Sequence, residues 1–313
     1  MKYDLICVGM ALVDCIIKGF NPEPISASGY VASSASLNVG GEAVNEAVAA
    51  SKLGLRTAIL CALGPDEAGT MVRHCLEKNG VDTSMIVPSP QTPITTMFVH
   101  HDGSRKSITN QAHRYQFHPE RFTDLLSETK GIILGSLFRA PFDDPEVIHA
   151  VLTSGKNRVV FADTKLPNFR KLSLTDLKEC LPFIDYMTPN EDEARYFSGE
   201  TDPEKMADVF LNAGVKNVLI KLGNQGCLLK NASETLRLPG YQIDAADATG
   251  AGDNFLAGFA SEILRGKGQD EALRFANACG AIYTTAVGAD TALKSRDQAA
   301  AWMKTHTLHP AEG

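Results

Sequence analysis

The clearest chemistry in this chain lies at Gly250-Ala251-Gly252-Asp253, where two glycines frame a small residue and an acid follows at once. From Asp253 onward the pattern turns helical, with Phe255, Ala257, Gly258 and Phe259 able to pack closely. Glycine tolerates backbone conformations that other residues avoid, so Gly250 and Gly252 let successive N–H groups converge. Amides at a helix start lack internal partners and, helped by the helix dipole, attract anions. An acid in such a cradle is unsuited to binding phosphate itself. It suits a base aimed at a hydroxyl, with the amides of Ala251 and Gly252 holding a phosphoryl group in transit. The same residues also fit a plain glycine-rich helix start in which Asp253 only stabilises the first turn. A dinucleotide fingerprint fails, because its third glycine would fall at Phe255 and no suitable strand leads directly into the turn. The phosphate-loop pattern GxxxxGK(S/T) is absent, so any ATP site must use another architecture.

Other candidates lie far from this turn in sequence. Gly40-Gly41 precedes a helix that begins near Glu42, and its tight backbone would let a polyol come close. Asn45 in the first turn of that helix can donate and accept hydrogen bonds with hydroxyls. Asp14, after the first strand and Gly9, can accept from two hydroxyls, or can be a solvated loop acid. Asn190 and Glu193 fall on one side of a helical first turn after Thr188-Pro189, as an acidic helix start would also place them. Lys165, in Asp163-Thr-Lys165 at a strand end, either faces phosphate or is a solvated lysine.

These residues need a scaffold that gathers strand ends. Short apolar runs at Asp4–Gly9, Thr57–Leu63, Gly131–Gly135, Val159–Asp163, Tyr186–Thr188 and Val218–Leu222 read as buried strands. Helical patterns separate many of them, at Glu42–Leu53, Ala68–Asn79, Asp144–Leu152 and Pro203–Asn212. The alternation predicts an α/β fold with a mostly parallel central sheet flanked by helices, whose strand ends bind ligand along one edge. Two stretches break the rhythm, 15–39 and 93–110, the second with a turn signal at His101-Asp102-Gly103-Ser104. They are expected to pair as a small β-layer projecting from the main sheet. A further helix is expected from Asp270, and fraying after His306. There is no fixed-period repeat.

Composition is consistent with this. Over 313 residues, 30 basic against 37 acidic groups give a net charge of −7, which argues against a general affinity for nucleic acid or anionic membrane. Seven scattered cysteines show no zinc spacing and point to a reducing compartment. No run approaches the ~20 apolar residues of a membrane span, and the start lacks the pattern of a signal peptide, so a cytoplasmic location is expected.

Asp247–Asp253 resembles the DTxGAGD signature of the ribokinase-like (PfkB) carbohydrate kinase family, with Ala248 where threonine is usual. Gly40-Gly41-Glu42-Ala43-Val44-Asn45, followed by Ala47, Ala49, Ala50 and Leu53-Gly54, resembles a second motif of that family, and the likeness runs over nearly the whole chain. The resemblance implies a single kinase domain over 1–313 with a β-lid formed by the two irregular stretches. It implies ATP as phosphoryl donor, a small sugar or sugar-like substrate, and Asp253 as base. Asp14, Gly40, Gly41 and Asn45 would then contact the substrate. Asn190-Glu-Asp-Glu193 resembles the family's NxxE motif, implying that Asn190 and Glu193 organise Mg2+. Lys221-Leu-Gly-Asn-Gln-Gly226 resembles its nucleotide-side loop, which assigns Lys221, Gly223 and Gly226 there, with Asn277 and Ala286–Ala289 on the adenine side. Asp247 would belong to a site for K+ or another monovalent cation. Exposed lid strands offer a pairing surface, so a homodimer is expected.

Departures from the family pattern fall around the acceptor. The motif reads GGEAVN, with Glu42 and Val44 unlike the usual residues, while Arg139 stands where many ribokinases carry an acid and Asn254 follows the base. Sugar, sugar phosphate and nucleoside acceptors all stay open. So does a non-catalytic ligand-binding protein on the same scaffold, which the intact Asp253 argues against.

Overall fold

The apolar runs and amphipathic stretches become layers in the computed structural model, which describes residues 1–19, 29, 31–101, 104–110, 117–155, 157–243, 250–285 and 292–309. The chain opens with β1 (Tyr3–Val8), β2 (Leu12–Lys18), β3 (Ser34–Gly40), α1 (Glu42–Lys52), β4 (Thr57–Leu60), β5 (Ala62–Leu63) and α2 (Glu67–Lys78). There follow β6 (Val87–Pro88), β7 (Ile94–Val99), β8 (Arg105–Thr109), β9 (Thr129–Leu137), α3 (Pro145–Thr153), β10 (Val159–Thr164), β11 (Tyr186–Thr188) and α4 (Glu191–Ser198). The remainder comprises α5 (Pro203–Asn212), β12 (Asn217–Lys221), β13 (Cys227–Asn231), β14 (Thr235–Leu238), α6 (Ala251–Ile263), α7 (Gln269–Thr284) and α8 (Arg296–Thr305).

Eight strands form the main sheet in the order β14-β13-β12-β11-β10-β9-β1-β4. The pairs from β4 to β12 are parallel, and only the β12–β13–β14 edge is antiparallel. Alternation along a strand sends side chains to both faces. Leu5 and Cys7 of β1 join one apolar cluster with α1, α2, α6 and α7, while Ile6 and Val8 join a second with α3, α4 and α5. Burial on both faces explains why these strands read as unbroken apolar runs.

The two irregular stretches do form a separate sheet, in the order β3-β2-β7-β8. It begins earlier than residue 15: β2 starts at Leu12, so Asp14 is a strand residue paired with Asn38 of β3, not a loop acid. Thr95 of β7 lies opposite Asp14 and Thr109 of β8 opposite Thr95, which aligns a polar row across the sheet. Residues 307–309 are not frayed. Gln242 N–H donates to the Thr307 carbonyl at 3.0 Å and His309 N–H to Gly240 at 2.7 Å, tying the chain end to the segment after β14. No described helix is long and apolar enough to cross a membrane.

Candidate active site

Right-handed crossovers gather the ends of β9, β10 and β12 along one edge, and the small sheet stands over them. Between lies a cleft of about 800 Å³, within the range of small-ligand sites. Asp14, Thr95 and Thr109 line it from the small sheet, Glu42 and Asn45 from α1, and Lys165 and Lys221 from the strand ends. Gly250 through Asp253 close it at the start of α6.

The α6 start has the geometry its sequence suggests. Gly250 caps the helix in the left-handed region at φ 88°, which an L side chain resists. A Cβ there would also press on the Tyr283 ring. Ala251, Gly252 and Asp253 form the first turn, where amides have no preceding carbonyl to bond. Asp253 is 6% exposed, and its Oδ2 accepts from Asn45 Nδ2 at 2.7 Å. Asn45 therefore holds the acid through its Nδ2, while its Oδ1 has no hydrogen-bond partner among the described residues. Burial lifts the Asp253 carboxyl to about 7, with Asp163 and Glu42 adding to the rise and Lys165 and Asn45 opposing it. Asn254 is buried and does not line the cleft; its Nδ2 donates to the Gly250 carbonyl at 3.0 Å.

Behind Asp253 the cleft wall is charged. Lys221 Nζ donates to Asp163 Oδ1 at 2.5 Å, and Thr188 Oγ1 donates to the same oxygen at 3.2 Å. Asp163 is 1% exposed, so this is a buried ion pair at the ends of β10 and β12. Burial works against the charged form of Lys221, but the carboxylates of Asp163 and Glu193 outweigh it and raise its pKa. Gly252 sits against the pair: a Cβ there would lie 3.3 Å from Lys221 Nζ. Lys165 is not a solvated loop lysine. Its Nζ lies 3.7 Å from Glu42 and 3.9 Å from Asp163. Burial opposes its charge, and Glu42 and Asp163 more than restore it.

The opposite wall carries fewer charges. Burial, with Glu42 nearby, raises Asp14 to about 6. Gly40 makes room for that side chain, because a Cβ at Gly40 would overlap the Asp14 carboxylate. Gly41, at φ 99°, lets α1 start against the Met10 carbonyl. Arg139, after β9, donates through Nε to the Leu166 carbonyl at 2.8 Å, which fixes its guanidinium at the cleft.

Several sequence candidates serve the frame. Asn190 Oδ1 accepts from Glu193 N–H and Glu193 Oε2 from Asn190 N–H, each at 2.9 Å, which is a capping box for α4. Glu193 Oε2 also accepts from Thr164 Oγ1 at 2.8 Å. Asn190 lines the cleft while Glu193 is buried behind it. Burial and the Asp163 carboxylate raise the Glu193 pKa. Gly223 lines the cleft, but Gly226 lies at the turn into β13, packed against the Leu238 and Gly240 backbone. Asn277 donates to the Pro239 carbonyl at 2.7 Å and does not line the cleft. Asp247 and Ala286–Ala289 lie outside the described residues.

Glu46 escaped the sequence reading. It follows Asn45 on α1, has no exposed surface, and clusters with Asp163 and Asp253. A signal existed: Ala43, Val44, Ala47, Val48, Ala49 and Ala50 leave α1 apolar nearly all round, so any residue in its middle must be buried.

Comparison with known proteins bears on the family and the fold. A family profile described as pfkB family carbohydrate kinase matches residues 2–296. A ribokinase of Haemophilus influenzae is 30% identical over 267 residues, spanning 83% of this chain and 85% of that protein. A putative ribokinase II from E. coli, solved in complex with ATP and Mg2+, superposes with a TM-score of 0.80 at 26% identity, covering 97% of this chain and 99% of that one. Arabidopsis thaliana ribokinase, complexed with ribose and ATP, gives 0.84 at 24% identity, covering 97% and 99%. The chain belongs to the pfkB family of carbohydrate kinases, and its fold is ribokinase-like.

Proposed function

We propose that this pfkB-family kinase transfers the γ-phosphoryl group of ATP to an alcohol group of a small sugar or sugar-like substrate, with Asp253 as the base. The observation that carries this reading is Asp253 itself: a buried acid, oriented by Asn45, in the same helical turn as the converging amides of Ala251 and Gly252. Asp253 takes the acceptor hydroxyl's proton as that oxygen attacks phosphorus in line, and the ATP β-phosphate leaves with the bonding pair. The Ala251 and Gly252 amides stabilise the charge on the equatorial oxygens. Lys221 and Gly223 face the phosphate side of the cleft, while Gly226 and Asn277 support its wall from behind. Asp14 and the Thr95–Thr109 row bind the acceptor, and the small sheet acts as a lid that keeps water out.

Asn190 and Glu193 fit a magnesium site of the water-mediated kind. Capping and Thr164 engage Glu193 Oε2 and leave its Oε1, while Asn190, whose one side-chain oxygen accepts from Glu193 N–H, still faces the cleft. Bound there, magnesium would neutralise charge on the phosphate oxygens. Asp247 is assigned to a monovalent cation such as K+. We read the chain as one kinase domain acting in the cytoplasm. A homodimer would pair the outer face of the small sheet, where Leu37 is 61% and Ile108 67% exposed.

Arg139 favours an acceptor with an anionic group over a neutral sugar, since its Nη donors are not engaged by the bond to Leu166. An ADP-release screen with ATP and magnesium over sugars, sugar phosphates and nucleosides tests the whole reading. Turnover with at least one class is expected, and Arg139→Ala should raise KM most for an anionic acceptor. Ligand-induced stabilisation without turnover on any of them would replace the kinase by a binding protein.

A further inference from the structure

A glutamate in the middle of an apolar helix normally reaches for solvent or a cation. Glu46 does neither: it has no exposed surface, and neither carboxylate oxygen has a hydrogen-bond partner among the described residues. It does face other acids. Single carboxylate oxygens of Glu46, Asp163 and Asp253 all lie within 4.8 Å of one another. Around Glu46 stand Asp253 from α6, Asp163 from β10, Lys221 from β12, Cys7 from β1 and Glu42 from its own helix. The Gly135 backbone of β9 closes the remaining side.

Three carboxyl groups at such separations do not all ionise in a buried site. Their partners decide which keeps a proton. Asp163 accepts from Lys221 and Thr188, so it already faces a cation and a hydroxyl donor. Asp253 accepts from Asn45 and has Lys165 nearby. Glu46 receives no donor at all. We propose that Glu46 is a positioning residue of the transfer, held as a neutral carboxylic acid beside Asp253, and that this withheld charge sets the pH at which Asp253 becomes available as a base. Burial, then Asp253 and Asp163, push Glu46 well above the usual carboxylate range, in the direction its lack of a donor requires. An ionised Glu46 would put a second negative charge against Asp253 and hold its proton on at neutral pH. The inference rests on Asp253 as base, but its main test does not need turnover.

That test is unfolding of the wild type and of Glu46→Gln across pH. A carboxyl that stays protonated in the fold but ionises once unfolded destabilises the fold as pH rises from its unfolded value, 4.5, toward its folded one. Glu46→Gln should therefore gain on the wild type steadily as pH rises, by about tenfold in the unfolding equilibrium constant per pH unit. A gap that stays constant with pH, or one that closes, overturns the proposal. Glu46→Leu serves as a second variant. An unbonded neutral carboxyl has no partner to lose, so failure of both variants to fold also overturns it. Magnesium alone, without nucleotide, should not raise the melting temperature through Glu46. A magnesium-induced rise that vanishes in Glu46→Gln assigns the cluster to a cation instead. In kinetics, the acid limb of kcat/KM should keep its place in Glu46→Gln, and a move of a full unit toward acid would show that Glu46 was charged. Should Asp253→Asn retain turnover, the base assignment fails while the unfolding results on Glu46 still stand.

Discussion

The two walls of the cleft are built differently. Behind Asp253, the ends of β10 and β12 carry the buried Asp163–Lys221 pair, with Lys165 and Glu46 alongside. Facing it, the small sheet offers Asp14 and a row of threonines on strands that remain partly open to solvent. In the first wall Asp163, Lys221 and Lys165 are placed by ion pairs and Asp253 by the Asn45 amide, and their positions depend on the core. In the second, one acid and several neutral hydroxyls sit on a thin layer. The contrast suggests a division of labour: the core wall supplies the electrostatics of transfer, and the sheet wall selects the acceptor.

The strongest test of that division is Asp253→Asn. Turnover should fall roughly 10²- to 10⁴-fold, the usual share of a general base, with ATP affinity largely kept. The wild type should lose kcat/KM below pH 7, because Asp253 titrates at about 7 and must be ionised to accept a proton. A pH-independent rate between 5 and 8 would remove the base from this wall. Next in size is Lys221→Met, which leaves the buried Asp163 without its nearest cation, with only Lys165 remaining at 3.9 Å. A loss of about 3–5 kcal/mol in denaturant unfolding is expected, partly regained in the double variant with Asp163→Asn. Little loss would mean that the core wall is less tightly coupled than its geometry implies.

On the other wall, Asp14→Ala should lower kcat/KM by about tenfold to a hundredfold through acceptor hydrogen bonds of about 1.5–3 kcal/mol. Its melting temperature should hardly move. An unfolding penalty as large as that of Lys221→Met would erase the distinction between the walls. The smallest effect belongs to Asn190→Ala, which removes the cap of α4 and should cost about 1 kcal/mol in stability. A loss of magnesium dependence beyond that cost would separate its metal role from its capping role.

The main layer was legible in the sequence because buried parallel strands and amphipathic helices have distinct periods. Pro203–Asn212 and Tyr186–Thr188 carry the same bounds in sequence and structure. The turn at Gly250–Asp253 was legible too, since its glycines announce the left-handed cap and tight start of α6. What stayed hidden was pairing between distant residues. Nothing near Lys221 announces Asp163, 58 residues earlier, and nothing near Asn45 announces that its amide would be taken by Asp253. The framework contacts of Asn277 and Gly226 were hidden as well, because a hydrogen bond to a carbonyl and a tight turn leave no local trace. Glu46 was missed because a charged residue on a helix is usually a surface residue.

The roots of the small sheet carry one more consequence. Residues 9–11 alone join β1 to β2, and Gly41 alone joins β3 to α1. The β2–β3 excursion is thus spliced between the first strand and the first helix of the core, with a glycine at each root. Asp14 on β2 and Asn45 on α1 each lie within four residues of one of these roots, so the acid of the small sheet and the amide bonded to Asp253 take their positions from the same two short joints.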